Sequence, residues 1–170
     1  MFLPKNDGID HINTFSKANT ELGRLLTNFG HTPFDHPQYG HFESVEAAWY
    51  FAKTGFIFPQ IKNTFGFQSK KMGRQLMKSK SDNDVETPLS DYFINFIKEC
   101  ISCKLRQNTY ILNMLVNTDL PLTHYLYYGD PENNPKVIPL PQYQWQIDHI
   151  EDIRKICQEH LRKNNKKGFV

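Results

Sequence analysis

The stretch from Gly40 to Lys53, Gly-His-Phe-Glu-Ser-Val-Glu-Ala-Ala-Trp-Tyr-Phe-Ala-Lys, reads as one helix with two faces in use. Ser44 is a good N-cap, because its hydroxyl can accept a first-turn N–H, and Glu46 then lies near the positive end of the helix dipole. The helix therefore starts at Val45. Val45, Ala48, Trp49 and Ala52 fall at i, i+3, i+4 and i+7, the spacing of a buried stripe. Glu46, Tyr50 and Lys53 form a second stripe at i, i+4 and i+7, roughly 100° round the helix. A fold built on this helix has to bury the first stripe and decide what covers the second.

The second stripe has two readings. Seven residues advance a helix by about 10 Å, so Glu46 and Lys53 share a face but stand too far apart for an i,i+4 ion pair. A carboxylate and an amine at opposite ends of one slot, with an aromatic ring between them, can supply an acid or base, a nucleophile and a stacking surface. The alternative is a solvated charged face.

A chain of 170 residues fits a single domain that buries its core without disulfides or metals. Its net charge is only +2, from 20 basic and 18 acidic residues, so any contact with nucleic acid has to be local. Aromatic residues make up 14% of the chain, enough for both a dense core and a cleft that stacks rings. Cys100 and Cys103 form a C-x-x-C inside a predicted helix, with no second pair to complete a zinc site, and read as buried small side chains. His31, His36 and His41 recur every five residues, which matches neither a helix face nor zinc spacing; no metal site and no cofactor is expected. Met1 to Asp7 has no signal-peptide core and no stretch is long and apolar enough to span a membrane, so a soluble, cytoplasmic protein without membrane partners is expected.

Along the chain, 11–15 reads as a short strand, and Thr20 caps a weak helix over 20–29 that carries Leu22, Leu25 and Leu26 inward and ends at Asn28. Residues 30–40 read as a loop. Thr54-Gly55 stops the central helix, 57–67 is a short apolar passage, and Gln68 to Lys78 forms a second helix with Met72 and Leu76 inward. Within it, Gly73 is either tolerated or lets backbone or ligand come close, and Arg74 suits a phosphate or lies in solvent. Residues 79–86 read as an exposed mobile loop. Ser90 caps a helix with Phe93, Ile94, Ile97, Ile101 and Leu105 inward, and another holds Ile111, Leu112, Leu115 and Val116. Strand formers fill 120–129, Val137-Ile138 and Gln144-Trp145 read as short strands, and an amphipathic helix from Ile147 ends near Leu161, before a basic tail over 162–170.

In order, Phe15-Ser-Lys17, Glu21-Leu-Gly-Arg-Leu-Leu-Thr-Asn-Phe29, Phe42-Glu-Ser-Val-Glu46 through Trp49-Tyr50 to Lys53-Thr-Gly55, Phe65-Gly-Phe-Gln-Ser-Lys-Lys-Met-Gly-Arg74 and His124-Tyr-Leu-Tyr-Tyr-Gly129 follow one another. Together they resemble the NADAR domain family, also called YbiA-like, over roughly residues 10 to 160. The resemblance implies a compact, mainly α, single-domain fold with a few short β segments. It also implies N-glycosidase activity on ribosyl compounds, including removal of ADP-ribose from guanine in nucleic acid.

Glu46 and Lys53 match the family's Glu and Lys, the Lys attacking the anomeric carbon and the Glu shuttling protons. Asn28 matches the Asn of its L-[ST]-N-F, and Gly73-Arg74 its Gly-Arg. The candidate substrate-binding residues are Asn28, Arg24, Ser44, Trp49, Tyr50, Gly73, Arg74, His124 and Tyr128. The riboflavin-pathway branch carries His, Phe or Tyr, and Gln inside the central motif and a Trp-Gly near the C-terminal cleft. This chain has Ala47-Ala48-Trp49-Tyr50 and Tyr128-Gly129, which leans toward ADP-ribosylated guanine in DNA as substrate and ADP-ribose as product, as suits an antitoxin or a phage counter-defence protein. Clearance of a ribosyl metabolite, or binding of ADP-ribose or NAD without catalysis, are the alternatives.

Overall fold

The computed structural model describes residues 2–78 and 90–167. Its helices and strands in chain order are β1 (Ile12–Asn13), α1 (Glu21–Leu26), β2 (Phe34–His36), β3 (Gly40–Phe42), α2 (Val45–Lys53), α3 (Gly66–Met77), α4 (Asp91–Gln107), α5 (Thr109–Val116), β4 (Leu122–Thr123), β5 (Tyr125–Tyr128), β6 (Lys136–Pro139) and α6 (Gln144–Lys167). The chain is mainly α with a few short β segments, as its patterns imply. These elements fall into two units, residues 27–108 and residues 1–26 with 109–170. The polar stretch 79–86, expected as a loop, lies outside the described residues, as does the end of the basic tail.

In the unit 27–108, α2 takes the central place. The Ser44 hydroxyl accepts the Ala47 N–H at 3.1 Å and donates to the Thr64 carbonyl at 3.2 Å, so the expected cap is present and itself buried. Val45, Ala48, Trp49 and Ala52 are buried as their spacing demands, but so are Ala47 and Phe51. The buried face is wider than one stripe because α2 is flanked by α3, by α4 and by the 3-10 turn Pro59–Asn63. The helix stops at Thr54, and Gly55 follows at φ 71°, a left-handed conformation that glycine adopts without steric cost.

Ser90 caps α4 by accepting the Phe93 N–H at 3.1 Å, and Phe93, Ile97, Ile101 and Leu105 line its buried side together with Cys100 and Cys103. Lys104 is buried among them, its ammonium donating to the Thr27 carbonyl at 3.1 Å, and burial lowers its pKa to about 7. The stretch 30–40 is not only a loop. Phe34 to His36 and Gly40 to Phe42 pair antiparallel with Phe34 opposite Phe42, whose buried rings stack at 5.5 Å. Two aromatic residues directly opposite across a short turn supply the cross-strand contact that closes such a hairpin.

In the unit of residues 1–26 and 109–170, β1 pairs in parallel with β4, and β5 pairs antiparallel with β6. The buried Asn13 side chain extends the β1 pairing, donating to the Tyr125 carbonyl and accepting the Tyr125 N–H, both at 3.1 Å. The C-terminal segment departs from its sequence pattern in two places. Gln144-Trp145 is helix rather than strand, because the 3-10 turn Pro141–Tyr143 leads directly into α6 and proline fixes a helical φ at its start. The same helix runs to Lys167 rather than ending near Leu161, since residues 162–167 are Arg, Lys and Asn with no glycine or proline before Gly168. Among the described residues no helix is long and apolar enough to cross a membrane.

Candidate active site

The second stripe of α2 is not a solvated face. The Glu46 N–H donates to the Asn28 carbonyl at 2.9 Å, which holds the first turn of α2 against the segment that follows α1 in sequence. The side chain beyond it is buried, with Glu46 only 7% exposed. Burial raises its carboxyl pKa to about 7, against the opposing pull of the charges on Lys70, Lys53 and Arg74. Near neutral pH Glu46 therefore exists in both protonation states, as a proton donor and acceptor must. Tyr50, the next residue of the stripe, is also buried. Lys53 in the last turn is half-buried, its ammonium 5.7 Å from the centre of the Tyr50 ring. Burial, reinforced by the charge of Arg74 and opposed by that of Glu46, holds the Lys53 pKa below the usual lysine range.

Gly73 explains how α3 reaches this stripe. A Cβ on Gly73 would stand 2.2 Å from Cδ1 and 2.3 Å from Cγ of Tyr50. Only a residue without a side chain lets α3 lie so close to α2, which decides between the two readings of Gly73 in favour of close backbone approach. Arg74, exposed on the next position, overhangs a cleft of about 440 Å³ lined by Tyr50, Lys53, Arg74, Met77 and Lys78. A second groove of about 370 Å³ is lined by Phe67, Lys70, Lys71, Arg74, Gln75 and Lys78. Arg74 and Lys78 belong to both, so the two spaces adjoin. The result is an amine of lowered pKa at one open, cationic cleft, with a carboxyl that titrates near pH 7 close by in charge terms: a place for an anionic substrate with an electrophilic carbon.

No protein-family model and no curated protein matches the sequence. In three dimensions the chain is similar to the E. coli protein YbiA, whose structure was determined by NMR, with a TM-score of 0.60 over 92% of this chain and 92% of that one. The chain has the YbiA fold. The identity between the two is 13%, so the likeness carries the fold, while the roles of individual residues rest on the geometry of this chain.

Within the YbiA fold the sequence candidates separate into three groups. Tyr50, Lys53 and Arg74 line the cleft, Gly73 sets the spacing beside it, and Glu46 and Asn28 meet at the start of α2. Ser44 and Trp49 are buried, Ser44 as the cap and Trp49 edge-on against Phe93 with ring centres 4.7 Å apart. Arg24, His124 and Tyr128 belong to the other unit. There Arg24 donates to the Ala18 and Asn19 carbonyls at 2.7 and 2.9 Å, and His124 lies 2.8 Å from the Thr14 carbonyl, its pKa lowered by burial. Tyr128 is exposed at the end of β5. Phe67, Gln75 and Met77 line the grooves without being site candidates from the sequence, where Met77 reads as an inward residue of the second helix. For Phe67 the signal was present: α3 begins at Gly66 and not at Gln68, and from Phe67 the groove residues run at i, i+3, i+4, i+7, i+8 and i+11.

Proposed function

We propose that the protein is an N-glycosidase that removes ADP-ribose from guanine bases of ADP-ribosylated DNA. The observation that carries this reading is one face of α2 that bears both a half-buried Lys53 of lowered pKa and a buried Glu46 that titrates near pH 7, with a cleft at Lys53 whose other charges are cationic. Arg74 and Lys78 suit the two phosphates of ADP-ribose, and Tyr50 gives the sugar an aromatic floor next to Lys53.

In the proposed reaction the neutral amine of Lys53 forms a bond to the anomeric carbon as the bond from that carbon to the guanine nitrogen breaks. The electron pair released to the base takes a proton from Glu46. Loss of the amine proton and opening of the ribose ring, with the ring oxygen taking up a proton, leaves an imine between Lys53 and the sugar. Water then adds to the imine carbon, the Lys53 amine departs, and ADP-ribose is released beside an intact guanine. Such an enzyme reverses the product of a DNA-targeting ADP-ribosyltransferase, the part played by an antitoxin or a counter-defence protein. The chain needs no cofactor for these steps.

The test is incubation of ADP-ribosylated DNA with the protein and resolution of the products by mass. Free ADP-ribose and unmodified DNA are expected, and borohydride added during turnover should leave a sugar adduct on Lys53. Lys53→Ala should fold normally, since the side chain is half-exposed, and should lose turnover by at least about 10²-fold. A fully active Lys53→Ala protein overturns the mechanism. Tight binding of ADP-ribose with no release from DNA or from an ADP-ribosylated nucleoside would make the protein a binder and not an enzyme.

A further inference from the structure

Helix α3 carries a stripe that is regular in spacing and unusual in content. Its buried positions are Gly66, Ser69 and Gly73, all small. The opposite stripe, Phe67, Lys70, Lys71, Arg74, Gln75 and Lys78, lines the second groove and ends at the cleft that holds Lys53. No acidic residue occurs between Gly66 and Lys78 to neutralise it. At its far end Phe67 is 75% exposed. The ring is also held in place: its edge meets Phe29 with ring centres 5.2 Å apart, and the Lys70 ammonium lies 5.7 Å from the centre of the Phe29 ring. An anchored, exposed aromatic ring continuous with a row of cations is the combination that binds single strands, because cations follow phosphates and a ring stacks on an unpaired base.

We propose that this outer face of α3 is a track for the single-stranded DNA next to the modified nucleotide, with Phe67 as the stacking platform for an unpaired base and Lys70 and Lys71 as contacts for its phosphates. The purpose of the track rests on the glycosidase reading; its binding chemistry does not. Phe67 and Lys78 are eleven positions apart, about 16 Å along the helix, more than the two phosphates of one ADP-ribose occupy. The track would make the enzyme prefer modified strands to a free modified nucleoside, through contacts remote from the bond that breaks.

The experiment is a fluorescence-anisotropy titration of the full chain with an unmodified single strand of about ten nucleotides, its duplex, and ADP-ribose, for the wild type, Phe67→Ala and Phe67→Trp. The single strand should bind more tightly than the duplex. Phe67→Ala should weaken single-strand binding about tenfold or more, Phe67→Trp should restore it, and affinities for duplex and ADP-ribose should stay unchanged. Exposed as it is, Phe67 can be replaced without disturbing the fold. Unchanged single-strand affinity in Phe67→Ala overturns the proposal, and so does a parallel loss of ADP-ribose affinity, which would assign the ring to the adenine. Release of ADP-ribose from modified DNA with strand binding indifferent to Phe67 overturns the track alone. Phe67-dependent strand binding without any release supports the track and overturns the glycosidase reading alone.

Discussion

Arg74 acts on both members of the proposed catalytic pair. Its charge favours the carboxylate form of Glu46 and the neutral form of Lys53, lowering both pKa values. In the proposed reaction Lys53 has to be neutral and Glu46 protonated, so the rate should rise as Lys53 loses its proton and fall, around pH 7, as Glu46 loses its own. Removing the guanidinium lifts both titrations. Arg74→Ala should therefore move the kcat–pH profile toward higher pH, besides raising KM about tenfold or more through the lost charged contact to phosphate. A KM increase with an unmoved profile would make Arg74 a phosphate anchor and nothing else. Tyr50 and Trp49 show how adjacent aromatic residues divide: Trp49 points to Phe93 in the core, while Tyr50 lies on the stripe beside Gly73 and Lys53.

At the scale of elements, the candidate site is the seam between α2 and α3, and Gly73 is what allows their close approach. Alanine at this position would gain about 1 kcal/mol in helix propensity, so a Gly73 that was merely tolerated would make Gly73→Ala more stable. Here the new methyl meets the root of the Tyr50 side chain at 2.2–2.6 Å, where no flexible end can swing aside. The helices or the ring must shift, and overpacking of this kind typically costs 1–3 kcal/mol. Gly73→Ala is expected to lower the denaturant midpoint and to reduce turnover by more than tenfold, because Tyr50 and Lys53 share the displaced helix face. Raised stability with full activity would show that the close approach is dispensable. The start of α3 escaped the sequence pattern for a local reason: Phe65, the residue that precedes it, offers no side-chain cap, whereas Ser44 and Ser90 do.

For the molecule as a whole, a net charge of +2 conceals an uneven distribution, with Lys53, Lys70, Lys71, Arg74 and Lys78 gathered around two adjoining grooves. A weak global field with a strong local one predicts a specific salt response. Binding of a single strand should weaken with a log–log slope of about −1.5 to −3, as for two to four phosphates neutralised at roughly −0.7 each. ADP-ribose, with no extended counterion atmosphere to release, should show a much shallower slope. Titrations at several salt concentrations measure both, and equal slopes would place a small metabolite ahead of DNA as the substrate.

Helix α2 was legible in the sequence in its limits, its cap and its two stripes, because capping and 3.6-residue periodicity are local properties of consecutive residues. So were α4, the C-x-x-C as buried thiols, the strand formers of 122–128 and the mainly helical class. The order of weak motifs pointed to the YbiA fold that the structure shows. The sequence left open whether Glu46 lies in solvent or is buried, whether Gly73 is tolerated or required, and what stands beside Arg74. It misplaced the start of α3, the hairpin of Phe34 and Phe42, and the two ends of α6. Those matters belong to tertiary structure, because burial, pKa and close approach are set by residues distant in sequence: a carboxyl shifts to about 7 only once neighbouring elements exclude water from it.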